Sequence, residues 1–221
     1  MKAKKIAAEQ AVAYVEDGFV VGIGSGSTVS LIIEELAKTA PKVKVVTASW
    51  QSHYECVKSG LSVISFEQAP HPDVYLDSFD QATWEGHMIK GGGGAMLREK
   101  VLASASRRKV FVGESGKLVE RLFKPVPVEI TPFAYPYVIE KLTDLGAQVV
   151  LRTSTAKNGP TISDNCNFIA DADFGPIQNP VSLEKKLRNI PGLVENGLFT
   201  SLADEIIIVD EDGKIHKRTY R

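Results

Sequence analysis

The chain has 221 residues, 43% of them hydrophobic and 24% charged, with a formal net charge of −1. That length supplies one large domain or two small ones with a real core, and the near-neutral balance does not suggest a nucleic-acid or anionic-membrane surface, while leaving room for a local basic pocket. No apolar run approaches the ~20 residues that cross a bilayer, and Cys56 and Cys166, the only cysteines, are too few for a disulfide framework or a zinc site, so a cytoplasmic protein with reduced thiols is expected.

The N-terminal "MKAKKIAAEQAVAYV" opens with lysines as a signal peptide does. Glu9, Gln10 and Glu16 break it, however, and no apolar core or cleavage pattern follows, so it reads as an amphipathic helix. "FVVGIG" is a short apolar run ending in glycine, as a buried parallel strand would. "STVSLIIEELAKT" is helical, "VKVVTAS" a strand, "WQSHYECVKSG" a helix with a glycine stop and "LSVISF" a strand. "PDVYLDSFD" is a strand running into a loop, "AMLREKVLASAS" a helix and "KVFVGES" a strand. This βαβα rhythm predicts a mostly parallel, Rossmann-like sheet covered by helices.

The rhythm changes after residue 124. "KPVPVEI" is extended, and "TPFAYPYVIEKLTDLG" reads as a helix with Thr131 as N-cap and Pro132 at its first position. "AQVVLRT" and "TISDNCNFIADADF" read as strands, "PVSLEKKLRNIPG" as a helix, "LVENGLF" as a strand, and "ADEIIIVDEDGKIHKR" as a hairpin that can return to the first sheet. The expected plan is α/β: a large domain of residues 1–124 plus 200–221, with a smaller α+β domain, 125–199, inserted near the C-terminal end.

Three stretches carry chemistry. In "GIGSGST", Ser25, Gly26, Ser27 and Thr28 lie between a strand and a helix start, where free N–H groups and the helix dipole suit a phosphate. A plain strand-to-helix turn with a Ser/Thr cap would use the same residues. The stretch is neither a P-loop nor a dinucleotide fingerprint, since Ser27 stands where the last glycine belongs. In "VYLDSFDQ", Asp77 and Asp80 follow a predicted strand at the edge where open α/β sheets bind ligands; a helix cap and a solvated aspartate are the plainer alternative. In "IKGGGGAMLREK", glycines 91 to 94 expose main-chain donors, Lys90 adds a cation and Glu99 a carboxylate. A base, a cation and a row of donors are what proton transfer beside a carbonyl requires, although a glycine hinge beside a surface Lys/Glu pair has the same composition. His53, His71, His87 and His216 form no metal-ligand spacing.

Taken in order, "GIGSGST", "DSFD", "IKGGGGAMLREK", "PVPVEITP", "TISDNCNFI" and "IPGLVENGLF" resemble the type A family of ribose-5-phosphate isomerases. The resemblance runs from the first helix to the last strand. It implies reversible interconversion of ribose 5-phosphate and ribulose 5-phosphate in the non-oxidative pentose phosphate pathway, without metal or organic cofactor, by a cytoplasmic homodimer or homotetramer. It assigns to the substrate site Ser25, Gly26, Ser27, Thr28, the run Asp77, Ser78, Phe79 and Asp80, the segment Lys90, Gly91, Gly92 and Gly93, and Lys117 in "GESGK". An N-terminal phosphate-contacting lysine corresponds to Lys4 or Lys5. Glu99 falls on the catalytic glutamate, with Asp77 or Asp80 assisting ring opening and Lys90 holding the oxyanion of an enediolate.

Two departures stand out. The family pattern Asp-Gly-Ala-Asp-Glu is "DSFDQ" here, so that Phe79 is expected to narrow the site or alter the loop, and Asp-Asn-Gly-Asn is "DNCN", which puts Cys166 at a glycine position. Two other classes are compatible with the motifs: a non-catalytic sugar-phosphate sensor, and an isomerase of another aldose phosphate permitted by Phe79.

Overall fold

A strand buried on both faces needs no polar alternation, and Val20–Ile23 is such a strand, with Val21, Gly22 and Ile23 buried. The computed structural model describes residues 2–39, 42–155 and 157–220; Met1 and Arg221, the ends of the predicted large domain, lie outside them. Backbone contacts divide the chain into Met1–Phe79 with Arg98–Leu118 and Leu202–Arg221, and Asp80–Leu97 with Val119–Ser201.

The first unit holds a seven-stranded sheet. Its spatial order is Ile215–Thr219, Glu205–Val209, Arg108–Glu114, Val74–Asp77, Val20–Ile23, Lys44–Thr47, Ser62–Val63. All neighbours are parallel except the edge hairpin of Glu205–Val209 with Ile215–Thr219. The predicted mostly parallel sheet and the return of the last hairpin are thus found, although "LSVISF" forms a ladder only at Ser62–Val63.

Four helices serve this sheet: α1 (Lys2–Val12), α2 (Ser27–Thr39), α3 (Trp50–Lys58) and α4 (Met96–Ala105). α2 buries Thr28, Val29, Ile32, Ile33 and Leu36, one face of a helix by their spacing. Each such aliphatic side chain contributes roughly 1.5–3 kcal/mol by leaving water. They join Ala7, Ala8 and Ala11 of α1 and the strand residues Val21, Ile23, Val45, Leu76 and Val112 in one core. α3 is started by Ser49, whose side chain accepts from the Ser52 N–H.

The second unit is antiparallel. Its main sheet runs Leu193–Asn196, Val126–Ile130, Phe168–Asp173, Gln148–Leu151. Against it pack α5 (Tyr135–Asp144) and α6 (Pro180–Arg188), whose Val138, Leu142 and Leu187 share a core with Val126, Val128, Ile130 and Ala170. The predicted start of α5 needs correction. Thr131 makes no side-chain cap, Pro132–Ala134 is a 3-10 turn, and the α-helix begins at Tyr135. Pro136 explains this, because a proline lacks the N–H that any residue beyond the first turn must donate.

A further difference concerns Asp80–Leu97, read from sequence as part of the large domain. Its short strands Gln81–Ala82 and Met88–Ile89 form a three-stranded antiparallel sheet with Leu198–Phe199. "LVENGLF" is therefore two strands in two sheets. Gly197 breaks it, since a Cβ there would lie 2.3 Å from the Lys90 carbonyl oxygen.

The "DNCN" turn is tied down by Glu129, fully buried in the Val126–Ile130 strand. Its Oε1 accepts from Ser163 Oγ, Asn165 Nδ2 and Asn167 Nδ2 at 2.7, 3.0 and 2.9 Å. Held by this net, Cys166 takes φ 65°, the one positive value at a non-glycine among the described residues. A side chain costs about 1 kcal/mol there. Cys166→Gly is expected to raise the thermal midpoint by ~2–4 °C; a midpoint that falls in calorimetry would show the turn to be unstrained.

Candidate active site

In the first unit the strand order reverses at Val20–Ile23. The chain moves outward to Lys44–Thr47 and Ser62–Val63, then returns to Val74–Asp77 on the other side. Ligands of open α/β sheets bind at the carboxyl ends of the two strands that flank such a reversal. The residues there are the 25–28 turn and Asp77. The two strand ends meet closely: Gly24 N–H donates to the Leu76 carbonyl at 3.0 Å, and a Cβ on Gly24 would lie 2.0 Å from Asp77 Cγ.

Asp77 is fully buried. Its Oδ2 accepts from the Tyr75 hydroxyl at 2.5 Å and its Oδ1 from the Ser78 N–H at 2.7 Å. Burial, then the charges of Asp77 and Glu99, push the Tyr75 hydroxyl well above its usual range, so it stays protonated and remains a donor. At the N-terminus of α2, Thr28 is buried, and its Oγ1 has no hydrogen-bond partner among the described residues. Ser27 Oγ accepts from Lys4 Nζ at 3.1 Å. Of the two N-terminal lysines, Lys4 is the one that reaches the turn.

Lys4 and Lys117 flank one carboxylate. Lys4 Nζ lies 3.7 Å from Glu114 Oε1, and Lys117 Nζ lies 3.6 Å from Glu114 Oε2. Lys117 Nζ also donates to Ser78 Oγ at 3.3 Å and stands 6.0 Å from the centre of the Phe79 ring. Phe79 itself is buried. Its ring fills the space over Gly113, where a Cβ would lie 2.7 Å from Phe79 Cζ. Glu99, in the first turn of α4, is 3% exposed; its carboxyl is withdrawn from bulk water.

The second unit carries Asp80, Lys90 and the glycines. Lys90 is buried, with its ammonium 5.5 Å from the centre of the Phe199 ring and its N–H donating to the Gly197 carbonyl at 2.9 Å. Gly92 N–H donates to Asp80 Oδ2 at 2.9 Å, and Gly94 N–H to the Gly91 carbonyl at 2.9 Å. Gly91 and Gly94 have φ of 92° and 81°, the left-handed region that favours glycine. A Cβ on Gly91 would also lie 2.8 Å from Met96 Cβ, and one on Gly92 3.0 Å from Asp80 Oδ1, whereas nothing lies within 4 Å at Gly93.

Arg152 was not among the sequence candidates. It bonds Asp171 and the carbonyls of Gly91 and Gly92. "AQVVLRT" reads only as a strand, and no spacing links it to glycines sixty residues earlier. Among the described residues, no group of three or more His, Cys, Asp or Glu side chains is placed to hold a metal ion.

Residues 44–213 match the family described as ribose 5-phosphate isomerase A (phosphoriboisomerase A). The chain belongs to this family. It is 42% identical to the ribose-5-phosphate isomerase A of Methanothermobacter thermautotrophicus over 219 residues, covering 96% of each chain. It is 40% identical to that of Archaeoglobus fulgidus over 208 residues, covering 91% of this chain and 92% of the relative. Among solved structures, a D-ribose-5-phosphate isomerase in complex with phospho-erythronic acid superposes with a TM-score of 0.95 at 34% identity, covering 99% of this chain and 98% of that one. The ribose 5-phosphate isomerase A of Methanocaldococcus jannaschii gives 0.93 at 33% identity, with coverage of 99% and 98%. Members at this distance share the whole fold, so the α/β plan with its mostly parallel sheet is that of the family.

Gly24 offers a direct test of the strand-end geometry. Gly24→Ala forces its methyl into Asp77, and overpacking of this kind costs typically 1–3 kcal/mol. A thermal midpoint equal to that of the unaltered protein would show that the two strand ends have room to part.

Proposed function

We propose that the chain is an aldose-ketose isomerase that interconverts D-ribose 5-phosphate and D-ribulose 5-phosphate through an enediolate, in the non-oxidative branch of the pentose phosphate pathway. The observation that carries this reading is the burial of Glu99. Taking a carboxylate out of water is costly, and a base that works away from bulk water holds its proton between removal and return.

The remaining roles follow the chemistry of each side chain. Ser25, Gly26, Ser27 and Thr28, at the α2 N-terminus, take the phosphate with Lys4 and Lys117; the buried Thr28 hydroxyl and the helix dipole favour an anion there. Asp80, which is only half-buried, assists opening of the furanose ring. Asp77, sealed between Tyr75 and the Ser78 N–H, holds the strand end. Glu99 removes the proton from C2 of the open aldose and returns it to C1. Lys90 and the Gly93 amide hold the negative charge that develops on the carbonyl oxygen, with Gly91 and Gly92 shaping the loop and the Gly92 amide given to Asp80. No metal or organic cofactor takes part. Ser78 serves through Lys117, and the Phe79 ring is occupied in packing on Gly113, so it gives no ground for a different sugar.

No helix among the described residues is long and apolar enough to cross a membrane. We place the enzyme in the cytoplasm as a homodimer or homotetramer. Apolar side chains open to water on the second unit, such as Phe133 at 96% and Val150 at 66% exposure, suit contacts between copies. A monomer in sedimentation equilibrium at micromolar concentration would remove this assembly.

The activity is tested with ribose 5-phosphate in a coupled assay containing a chelator, where turnover is expected to persist. Glu99→Gln keeps the shape of the side chain and removes the base. Its kcat is expected to fall ~10²–10⁴-fold, with the fold intact by circular dichroism. Near-normal turnover in this variant would exclude Glu99 as the base. Binding of ribose 5-phosphate without turnover in the unaltered protein would favour a sugar-phosphate sensor.

A further inference from the structure

Arg152 leaves the Gln148–Leu151 strand and lays its guanidinium between a carboxylate and the polyglycine loop. On one side Nε and Nη2 donate to Asp171 Oδ2 and Oδ1 at 2.9 and 2.5 Å. On the other side Nη1 donates to the Gly92 carbonyl at 2.9 Å and to the Gly91 carbonyl at 3.4 Å. The pair is largely shielded, with side-chain exposures of 20% for Arg152 and 31% for Asp171. Charge-assisted, bidentate bonds of this kind are among the stronger fixed contacts in proteins.

The geometry of the peptide bond turns this anchor into an aiming device. In a trans peptide the C=O and the following N–H point in opposite directions. Pulling the Gly91 carbonyl toward Arg152 sends the Gly92 N–H the other way, and that N–H is taken by Asp80 Oδ2 at 2.9 Å. Pulling the Gly92 carbonyl toward Arg152 sends the Gly93 N–H the other way too. Gly93 is exposed, and a Cβ there would meet nothing within 4 Å. The guanidinium also polarises the two peptides it bonds, which strengthens their N–H groups as donors.

We propose that Arg152, anchored by Asp171, is a positioning residue that locks the peptide planes of the 91–94 loop and sets the Gly93 N–H as a donor to the oxyanion. The oxyanion role rests on the isomerase reading above; the lock does not. Arginine is required because its planar fork serves the carboxylate and the carbonyls together, whereas an ammonium offers one donor centre.

Arg152→Lys and Asp171→Asn test both parts. Amide hydrogen exchange of the 90–96 segment reads the lock without reference to catalysis. It is expected to quicken about tenfold or more in both variants, while exchange in the Val126–Ile130 strand stays as it was. Unchanged exchange at 90–96 would overturn the lock. Steady-state kinetics with ribose 5-phosphate read the aim. Removal of one oxyanion donor lowers kcat roughly 10²–10³-fold, so misdirecting it is expected to lower kcat at least ~10-fold, with KM within about twofold. A quickened loop with unaltered kcat would overturn the oxyanion role, as would an unaltered protein that fails to turn over the sugar phosphate at all. A purely structural Arg152 would instead lower the thermal midpoint and leave the kcat of the folded fraction untouched.

Discussion

Asp77 and Gly24 occupy the same few cubic ångströms at the point where two parallel strands separate. The Gly24 N–H completes the ladder to Leu76, and the next residue on that neighbouring strand is an aspartate whose carboxylate lies where a side chain at 24 would be. Tyr75 and the Ser78 N–H hold that carboxylate from two directions. This contact fixes where the first strand stops, and hence where the 25–28 turn opens and where α2 begins. It equally fixes the exit of Ser78 and Phe79, and through them the setting of Lys117. A larger residue at 24 or a longer acid at 77 would move all of these together.

The unusual pair Ser78–Phe79 is absorbed by the same neighbourhood. A glycine and an alanine, the family pattern at these positions, could offer Lys117 neither a hydroxyl nor an aromatic face. Here Ser78 supplies the first and Phe79 the second. The ring is accommodated only because residue 113 has no side chain. The ring is buried, not spread over the surface. Its influence passes instead through the lysine, which it holds at the edge of a cation–π contact worth ~0.5–1 kcal/mol at most in a half-open setting.

Most of the first eighty residues were legible because the main elements each carried one strong signal. Buried parallel strands are apolar runs, and α2 has an unmixed helical stripe, so its bounds follow directly from the sequence. The short strands Gln81–Ala82 and Met88–Ile89 were not legible. Two residues carry no periodicity, and the pairing of Met88–Ile89 with Leu198–Phe199 spans more than a hundred residues. α5 was misplaced because two prolines compete for the first turn, and the later one decides. Among the site residues, glycines and charged groups within one motif could be read together. Arg152 and Asp171 could not, because their meeting with the 91–94 loop depends on an antiparallel register that places Asp171 opposite Val150.

Three buried carboxylates, Glu129, Asp77 and Glu99, stand in three different settings. Glu129 lies in mid-strand and gathers three side-chain donors onto one oxygen, all from the turn it restrains. Asp77 lies at a strand end and is held by a neighbour two residues back and by the next backbone amide. Both use sequence-local or loop donors that cannot leave without local unfolding, which suits a fixed acceptor. Glu99 stands in the first turn of a helix and is 3% exposed. On the isomerase reading proposed above, it is the carboxylate that carries the proton. The four glycines just ahead of α4 differ in their surroundings too. Gly91 and Gly94 supply the left-handed backbone, Gly92 leaves room for Asp80, and Gly93 alone faces open space. Ordering so many glycines costs conformational entropy, and the bonds to Asp80 and Arg152 offset part of that cost.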